Sequence, residues 1–298
     1  MKIKIKIKIR IEVRMILSGK GCELMIPDCE IKDIKEIERS IIKKYRKHLW
    51  SPFMKAIRDY QMIQEGDRIA VTVSGGKDSL IMAKLFQELH RHSEISFDLE
   101  FIAMNPGFYE INKTQLIKNC EQLEIPVTIF DTNIFEVAEK IAGNSPCYMC
   151  AKMRRGALYN KAEELGCNKM ALGHHYDDVI ETIMMNMLYA GSFKTMMPKL
   201  KSTNFTKMEI IRPLYYVRED AIKRYTKSSG ILAMNCGCAV AAGKIATKRY
   251  EIKDLIEDMK KTNPNVEKSI FKSAQNINLD ACIAWQRNDQ KESFLDSY

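Results

Sequence analysis

The stretch Ile69-Ala70-Val71-Thr72-Val73-Ser74-Gly75-Gly76-Lys77-Asp78-Ser79 decides how the rest of the chain is read. A short, mostly β-branched run, then two glycines, then a helix-like pattern spells strand, tight loop, helix. Such a junction aims backbone N–H groups and a helix N-terminus at one spot, which suits an anion. The glycines let the backbone come close to a phosphate. Lys77 adds a point charge, and Ser74 and Ser79 add hydroxyl donors. The spacing is not that of G-x-x-x-x-G-K-[ST], because the lysine follows the glycine pair too closely. The plainer reading is an N-capped helix after a glycine turn.

Working outward, the first strand runs over 68–73 and is followed by a helix through Leu89. Further strands are read over 97–104, 126–130, 169–172 and 208–212. Helices are read over 151–165 and 177–189. Strands alternating with helices predict an α/β fold, a doubly wound parallel sheet of five strands. In such sheets ligands bind beyond the carboxyl ends of the strands. The loops at Ser74, Asn105, Cys147 and Gly173 all emerge at or near that edge. The tail has helical spacing over 249–260 and 266–277, separated by Thr262-Asn263-Pro264.

Upstream, Ile34, Ile37, Ile41, Tyr45, Leu49, Phe53, Ile57 and Tyr60 recur every three or four positions, one face of a helix. Pro52 breaks or kinks it after Ser51. The opposite face carries Lys43, Lys44 and Lys47 among other cations. A solvated face is the plain reading; charge this one-sided also suits RNA phosphates. Residues 1–14 alternate Lys and Ile, the period of an amphipathic strand with one basic face. That segment is either an edge strand or an extension without a structural role, and it lacks the continuous apolar core of a signal peptide. The expected divisions are an N-terminal extension over 1–33, a basic helical segment over 34–66, a nucleotide-binding domain over 67–248 and a helical tail over 249–298.

The 298 residues are 46% hydrophobic, enough for a packed core, and carry a net charge of +9, which favours polyanionic partners. No apolar stretch is long enough to span a bilayer, so no membrane partner is expected. Nine cysteines without a secretory signal point to metal or catalytic use in the cytoplasm rather than to a disulfide framework. Cys147 and Cys150 are spaced to bring two sulfurs to one metal or to each other. A second pair, Cys236 and Cys238, lies far downstream. Cys22, Cys29, Cys120, Cys167 and Cys282 read as ordinary buried or incidental thiols. Gly173-His174-His175-Tyr176-Asp177-Asp178, followed by Glu181-Thr182, sets imidazoles and carboxylates at a strand tip and a helix start. Asp177 is placed to cap that helix, and Asp178 to hold Mg²⁺ or to move a proton.

Ser74-Gly75-Gly76-Lys77-Asp78-Ser79 resembles the signature of the PP-loop pyrophosphatases, which adenylate an oxygen and displace AMP with a nucleophile. The run from Cys147 to Leu200 is similar to the tRNA 2-thiocytidine synthetase (TtcA-type) family of that group. It carries Cys147-Tyr148-Met149-Cys150, Arg154-Arg155-Gly156, Ala171-Leu172-Gly173-His174-His175, Asn186-Met187 and Met197-Pro198-Lys199-Leu200. Arg212-Pro213-Leu214 and Arg218-Glu219 complete the pattern, and the resemblance covers about residues 35–280.

That resemblance implies an enzyme that uses ATP and Mg²⁺ to activate the C2 oxygen of cytidine 32 in tRNA and then replaces the oxygen with sulfur. It implies a 4Fe-4S cluster on three cysteines, with one iron left open. Cys147 and Cys150 are two of the ligands so implied. The third falls on the Cys236/Cys238 pair, where Cys238 is favoured, although the single-residue spacer departs from the proteobacterial pattern. Lys77, Asp78 and Asp178 are the implied catalytic residues. Ser74, Gly75, Gly76, Lys77, Asp78, Ser79, Met104 and Gly173 are the implied nucleotide contacts. Lys43, Lys44, Lys47, Arg154 and Arg155 would meet tRNA, with a solvated helix face as the plain reading of the two arginines. The implied partners are tRNA, a sulfur donor such as a cysteine desulfurase, and a second copy of the chain as a homodimer.

Two rivals stay in view. One is a 2-thiouridine synthetase of the same group, which usually carries tighter terminal cysteine pairs than Cys22 and Cys29 supply. The other is an RNA-binding protein with a structural zinc site on Cys147, Cys150, Cys236 and Cys238, which leaves the loop at Ser74 unexplained.

Overall fold

The computed structural model describes residues 32–107, 110–135, 137, 146–202, 205, 207–234, 245–287 and 290–298. The expectations for residues 1–31, and for Cys22, Cys29, Cys236 and Cys238, lie outside the described residues.

The basic N-terminal segment folds as α1 (Ile34–Ile42), a π-helical turn over Arg46–Trp50, and α2 (Ser51–Asp59). Pro52 sits in the first turn of α2, where its missing N–H costs nothing, and the irregularity falls in the turn before it. Ile37, Ile41, Leu49 and Phe53 are fully buried, so the expected apolar face is the core face. Asp33 caps α1, accepting from the Lys35 N–H at 2.8 Å.

Then follow β1 (Arg68–Thr72), α3 (Lys77–His92), β2 (Asp98–Asn105), α4 (Glu110–Gln122), β3 (Val127–Asp131), α5 (Pro146–Glu164), β4 (Lys169–Ala171) and α6 (Tyr176–Ala190). The chain continues with β5 (Lys199–Lys201), β6 (Glu209–Ile211), α7 (Glu219–Ser229), α8 (Ile245–Thr262), α9 (Val266–Ser273), β7 (Ala284–Arg287) and β8 (Gln290–Ser293). The main sheet has the order β3-β2-β1-β4-β6-β5. All its pairings are parallel except β5 with β6. Ile69, Ala70 and Val71 of the central strand are fully buried, as expected when helices cover both faces.

The expected doubly wound α/β sheet is therefore present, with each of the five expected strands found within about a residue of its expected bounds. A sixth, antiparallel strand, β5, joins at the edge; its three residues, Lys199-Leu200-Lys201, are too short to give an alternation signal. The expected helical tail also carries a two-stranded hairpin, β7 with β8. Neither α4 nor α7 stood out from the sequence as a separate helix.

Two contacts position the functional edge. Lys84 on α3 is fully buried, yet donates to Glu38 of α1 at 2.7 Å and to the Leu123 carbonyl at 2.9 Å, which ties the basic segment to the sheet's covering helix. Tyr176, the first residue of α6, stacks on Phe271 of α9 at 4.5 Å and donates to the Glu267 carbonyl at 3.2 Å. The N-terminus of α6 is thereby fixed by the tail.

Candidate active site

Because β1, β2, β3 and β4 run parallel, the loops after them share one edge of the sheet. The loop after β1 folds back on itself. Ser79 Oγ donates to the Gly76 carbonyl at 2.9 Å and accepts the Ser74 N–H at 3.0 Å. Gly75 has φ +80°, which favours glycine, and a Cβ there would lie 2.4 Å from Met234 Sδ, so the flexible end of that side chain would have to shift. Gly76 is the residue before α3, and no side chain caps that helix end, which leaves its N–H groups directed at the loop.

Lys77 Nζ lies 3.0 Å from Asp78 Oδ2 and 3.1 Å from Glu219 Oε1. Asp78 Oδ1 is buried and has no hydrogen-bond partner among the described residues. His175 Nε2 lies 3.8 Å from it. A buried, unpaired carboxylate oxygen beside a phosphate-type loop fits a cation delivered with the phosphates, since Mg²⁺ is held in such sites by one or two carboxylates and the substrate. Among the described residues no group of three or more His, Cys, Asp or Glu side chains forms a metal site by itself.

The loop after β4 packs directly on this one. A Cβ on Gly173 would meet Ser79 N at 3.2 Å and the Asp78 carbonyl carbon at 3.4 Å, so any side chain would push the two loops apart. His175, not Asp177, caps α6: its Nδ1 accepts the Asp178 N–H at 3.3 Å, and Asp178 Oδ2 accepts the His175 N–H at 3.0 Å. The Asp177 carboxylate serves the next helix instead, accepting the Glu219 N–H at the start of α7 at 2.7 Å. The expectation that Asp177 caps its own helix is corrected accordingly; an imidazole nitrogen took the place usually given to a carboxylate. Asp178 is free of Asp177's task but not unpaired, since Arg249 of α8 lies 3.1 Å from its Oδ1. Arg249 also reaches Glu181, one turn further on, at 3.4 Å; burial raises the Glu181 carboxyl above its ordinary value.

Glu219 is the charge hub of the site. Besides Lys77 it binds Lys253 of α8 at 2.7 Å and Lys223 at 2.9 Å. Burial pushes its pKa up, but the hydrogen bonds and charges of Lys253, Lys223 and Lys77 outweigh this and hold it far below the carboxylate range. A groove of about 540 Å³ opens beside it, lined by Lys47, Arg218, Lys223, Lys253 and Lys260 together with Glu219. It joins Lys47 of the π-helical turn to the partner of Lys77.

The remaining expected residues are placed as follows. Met104 is buried at the end of β2, two residues beyond Ile102, the partner of Thr72, and so stands at the same edge. Lys43, Lys44 and Lys47 are exposed. Arg155 is exposed on α5, and its charge acts on the buried Arg212. Arg154 is half-buried. Cys147 and Cys150 both fall in the opening turns of α5, and Cys150 is half-buried. Cys120 and Cys167 are buried, and burial pushes their thiols up to about 12 and about 11, as the ordinary-thiol reading requires. Cys282 is half-buried against the Asn278 carbonyl. The segment carrying Cys236 and Cys238 is entered at Met234, whose N–H donates to the Gly75 carbonyl at 2.9 Å.

Glu219, Arg249 and Lys253 received no role from the sequence. Arg218-Glu219 lay within the quoted pattern, but its meaning is an ion-pair network spread over three helices, which no local spacing reveals.

A family profile described as a PP-loop domain matches residues 44–233. The chain is 37% identical over 225 residues to the tRNA-cytidine(32) 2-sulfurtransferase of Pelobacter propionicus, covering 75% of this chain and 83% of that protein. It is 38% identical over 251 residues to the protein of that name from Klebsiella pneumoniae strain 342, covering 83% of this chain and 79% of the relative. Among solved structures it is similar to the U34-tRNA thiolase NcsA from Methanococcus maripaludis with its [4Fe-4S] cluster. That likeness has a TM-score of 0.61 and 26% identity over 81% of this chain and 77% of the other.

Proposed function

The chain belongs to the PP-loop family of tRNA-cytidine(32) 2-sulfurtransferases, and from that premise we propose that it thiolates cytidine in tRNA at the expense of ATP. The base carbonyl oxygen attacks the α-phosphorus of ATP and diphosphate leaves. Hydrosulfide then attacks C2, and the original oxygen departs on AMP. Adenylation is what makes the oxygen a leaving group.

The observation that carries this reading is the hydrogen bond from the Met234 N–H to the Gly75 carbonyl. It ties the phosphate loop to Met234, two residues before Cys236 in the sequence, which supports a reading that joins nucleotide chemistry to thiol chemistry. In this reading the Gly75–Ser79 backbone and Lys77 hold the phosphates, and Asp78 Oδ1 takes the Mg²⁺ that ATP brings. Asp178 holds the N-terminus of α6 and Arg249 in register with the loop. Met104 and Gly173 bound the nucleotide. The exposed Lys43, Lys44 and Lys47, with Arg154 and Arg155, meet the tRNA backbone.

The donor set suits an iron–sulfur cluster: the thiols of Cys147, Cys150 and Cys238 would hold it and would leave one iron without a protein ligand. When bound, the cluster supplies a thiophilic iron for sulfide, and the NcsA relative carries a [4Fe-4S] cluster. A cysteine desulfurase as sulfur donor, a homodimeric state and a cytoplasmic location belong to the same reading. Among the described residues no helix is long and apolar enough to cross a membrane.

The test is mass spectrometry of nucleosides in tRNA from cells lacking this protein. Selective loss of 2-thiocytidine is expected. Loss of 2-thiouridine with 2-thiocytidine intact would hand the function to the thiouridine reading.

A further inference from the structure

His174 is given no task by the chemistry above, yet its surroundings fix its state. Arg212, in the residue after β6, donates from Nε to His174 Nδ1 at 3.3 Å. A guanidinium only donates, so Nδ1 must offer a lone pair. Arg212 is itself pinned: it is buried and donates to the Met197 carbonyl. The His174 backbone is pinned as well, its N–H donating to the Leu172 carbonyl at 2.9 Å.

The titratable groups acting on the ring are Arg212 from the end of β6, Arg249 from α8, Asp178 from α6 and His175, the residue that caps α6. Burial is the largest influence and keeps the ring uncharged; Arg212 adds to it, the Asp178 carboxylate opposes it, and the balance brings the imidazole down to about 4. A neutral ring whose Nδ1 is an acceptor carries its proton on Nε2. Among the described residues His174 Nε2 has no hydrogen-bond partner. The residue is half-buried, and its neighbour Gly173 is the one packed on Ser79 and Asp78.

We infer that His174 presents Nε2–H as a fixed, neutral donor to an acceptor oxygen at the reaction centre, with Arg212 as the positioning residue that sets the tautomer. The inference rests on the reading of this site as one that adenylates a tRNA base. The acceptor is an oxygen that gains charge in the reaction, on the α-phosphate of ATP or at C2 of the base. A donor that stays neutral can stabilise that charge without first being protonated, and it cannot act as a base.

Two measurements on the full chain test this. In ¹⁵N-histidine spectra, the resonance lost in His174→Gln identifies His174. In the wild type that resonance should be of the Nε2–H tautomer and stay flat from about pH 5 to about pH 8, the range in which an ordinary histidine titrates. In Arg212→Met it should mix tautomers. An Nδ1–H tautomer, or titration near the ordinary histidine value in the wild type, overturns the inference whatever the enzyme's substrate. In steady-state thiolation, His174→Gln keeps an amide N–H near the Nε2 position and should retain most of kcat. His174→Asn, too short to reach, should lose about 100-fold or more.

A fall in kcat supports stabilisation of charge that develops in the reaction, and a rise confined to the KM for ATP places the contact in the ground state and overturns it. Equal loss in the Gln and Asn variants, with unchanged melting temperatures, overturns the donor role. Wild-type protein that shows the expected spectra but no ATP-dependent thiolation would overturn the proposed function and leave the tautomer standing.

Discussion

Glu219 Oε1 lies 3.1 Å from Lys77 Nζ, so the lysine of the phosphate loop is held by a carboxylate from α7 before any phosphate arrives. The same carboxylate also binds Lys223 and Lys253. Lys77 is therefore aimed from two sides, by Asp78 and Glu219, and an entering phosphate competes for an ammonium already in place.

Glu219→Gln should lower stability at neutral pH by about 2 kcal/mol, since hydrogen bonds to charged groups are lost from a mostly buried site. The pH dependence follows from the direction of the shift. The folded-state pKa is far below the ordinary 4.5, so the stabilisation is complete above that value and is lost as pH falls below it. Urea unfolding of wild type and variant should therefore show a gap that is constant above about pH 5 and shrinks steadily below 4.5. A gap that widened on acidification would contradict the ion-pair hub.

Lys77→Ala or Asp78→Ala should abolish tRNA-dependent AMP release while leaving the melting temperature within a few degrees of wild type. Both side chains are half-buried and pack no core, so little apolar burial is lost. Near-normal AMP release by purified Lys77→Ala would remove the loop from the chemistry.

Gly75→Ala and Gly66→Ala separate strain from function. Both glycines have positive φ, +80° and +78°, and alanine at either should cost about 1–2 kcal/mol. At Gly66 a Cβ meets nothing within 4 Å, whereas at Gly75 it collides with Met234. Gly66→Ala should keep its KM for ATP, and Gly75→Ala should raise it at least ten-fold. Equal KM values would show that the loop tolerates displacement by the Met234 segment.

Much of this was legible in the chain because the signals were local. Ile69 to Ser79 carries strand, loop and helix in eleven consecutive residues, and the observed elements match. The core face of α1 followed from the spacing of Ile37 and Ile41. What stayed hidden was non-local or unusual. β5 is defined by pairing with β6, not by its own three residues. The capping role of His175 uses an imidazole where sequence rules look for Ser, Thr, Asp or Asn. The hub at Glu219 exists only once α3, α7 and α8 meet.

Reversing the charges of Lys43, Lys44 and Lys47 should weaken tRNA binding and flatten its dependence on salt. Each lost phosphate contact removes roughly 0.7–0.9 from the slope of log affinity against log salt. All three side chains are exposed, so the fold should tolerate the change. An unchanged slope would return this face to simple solvation.

The cysteines give the sharpest division between rival readings. Cys147→Ala and Cys150→Ala should each remove iron and thiolation together, because two thiolates do not hold a cubane securely. Between Cys236 and Cys238 only Cys238→Ala should do the same. That expectation comes from the sequence alone: Gly237 between them favours a turn, and Asn235 precedes it. Iron content and thiolation are measured for each single variant after anaerobic reconstitution. Full iron in Cys238→Ala would transfer the assignment to Cys236. Loss in both variants would mean four cysteine ligands and a closed site, which leaves no position for sulfide and favours a structural metal. Retained tRNA-dependent diphosphate release in Cys147→Ala, with thiolation gone, is the expected signature of two separable steps: the loop at Gly75 serves the first, and the thiols serve the second.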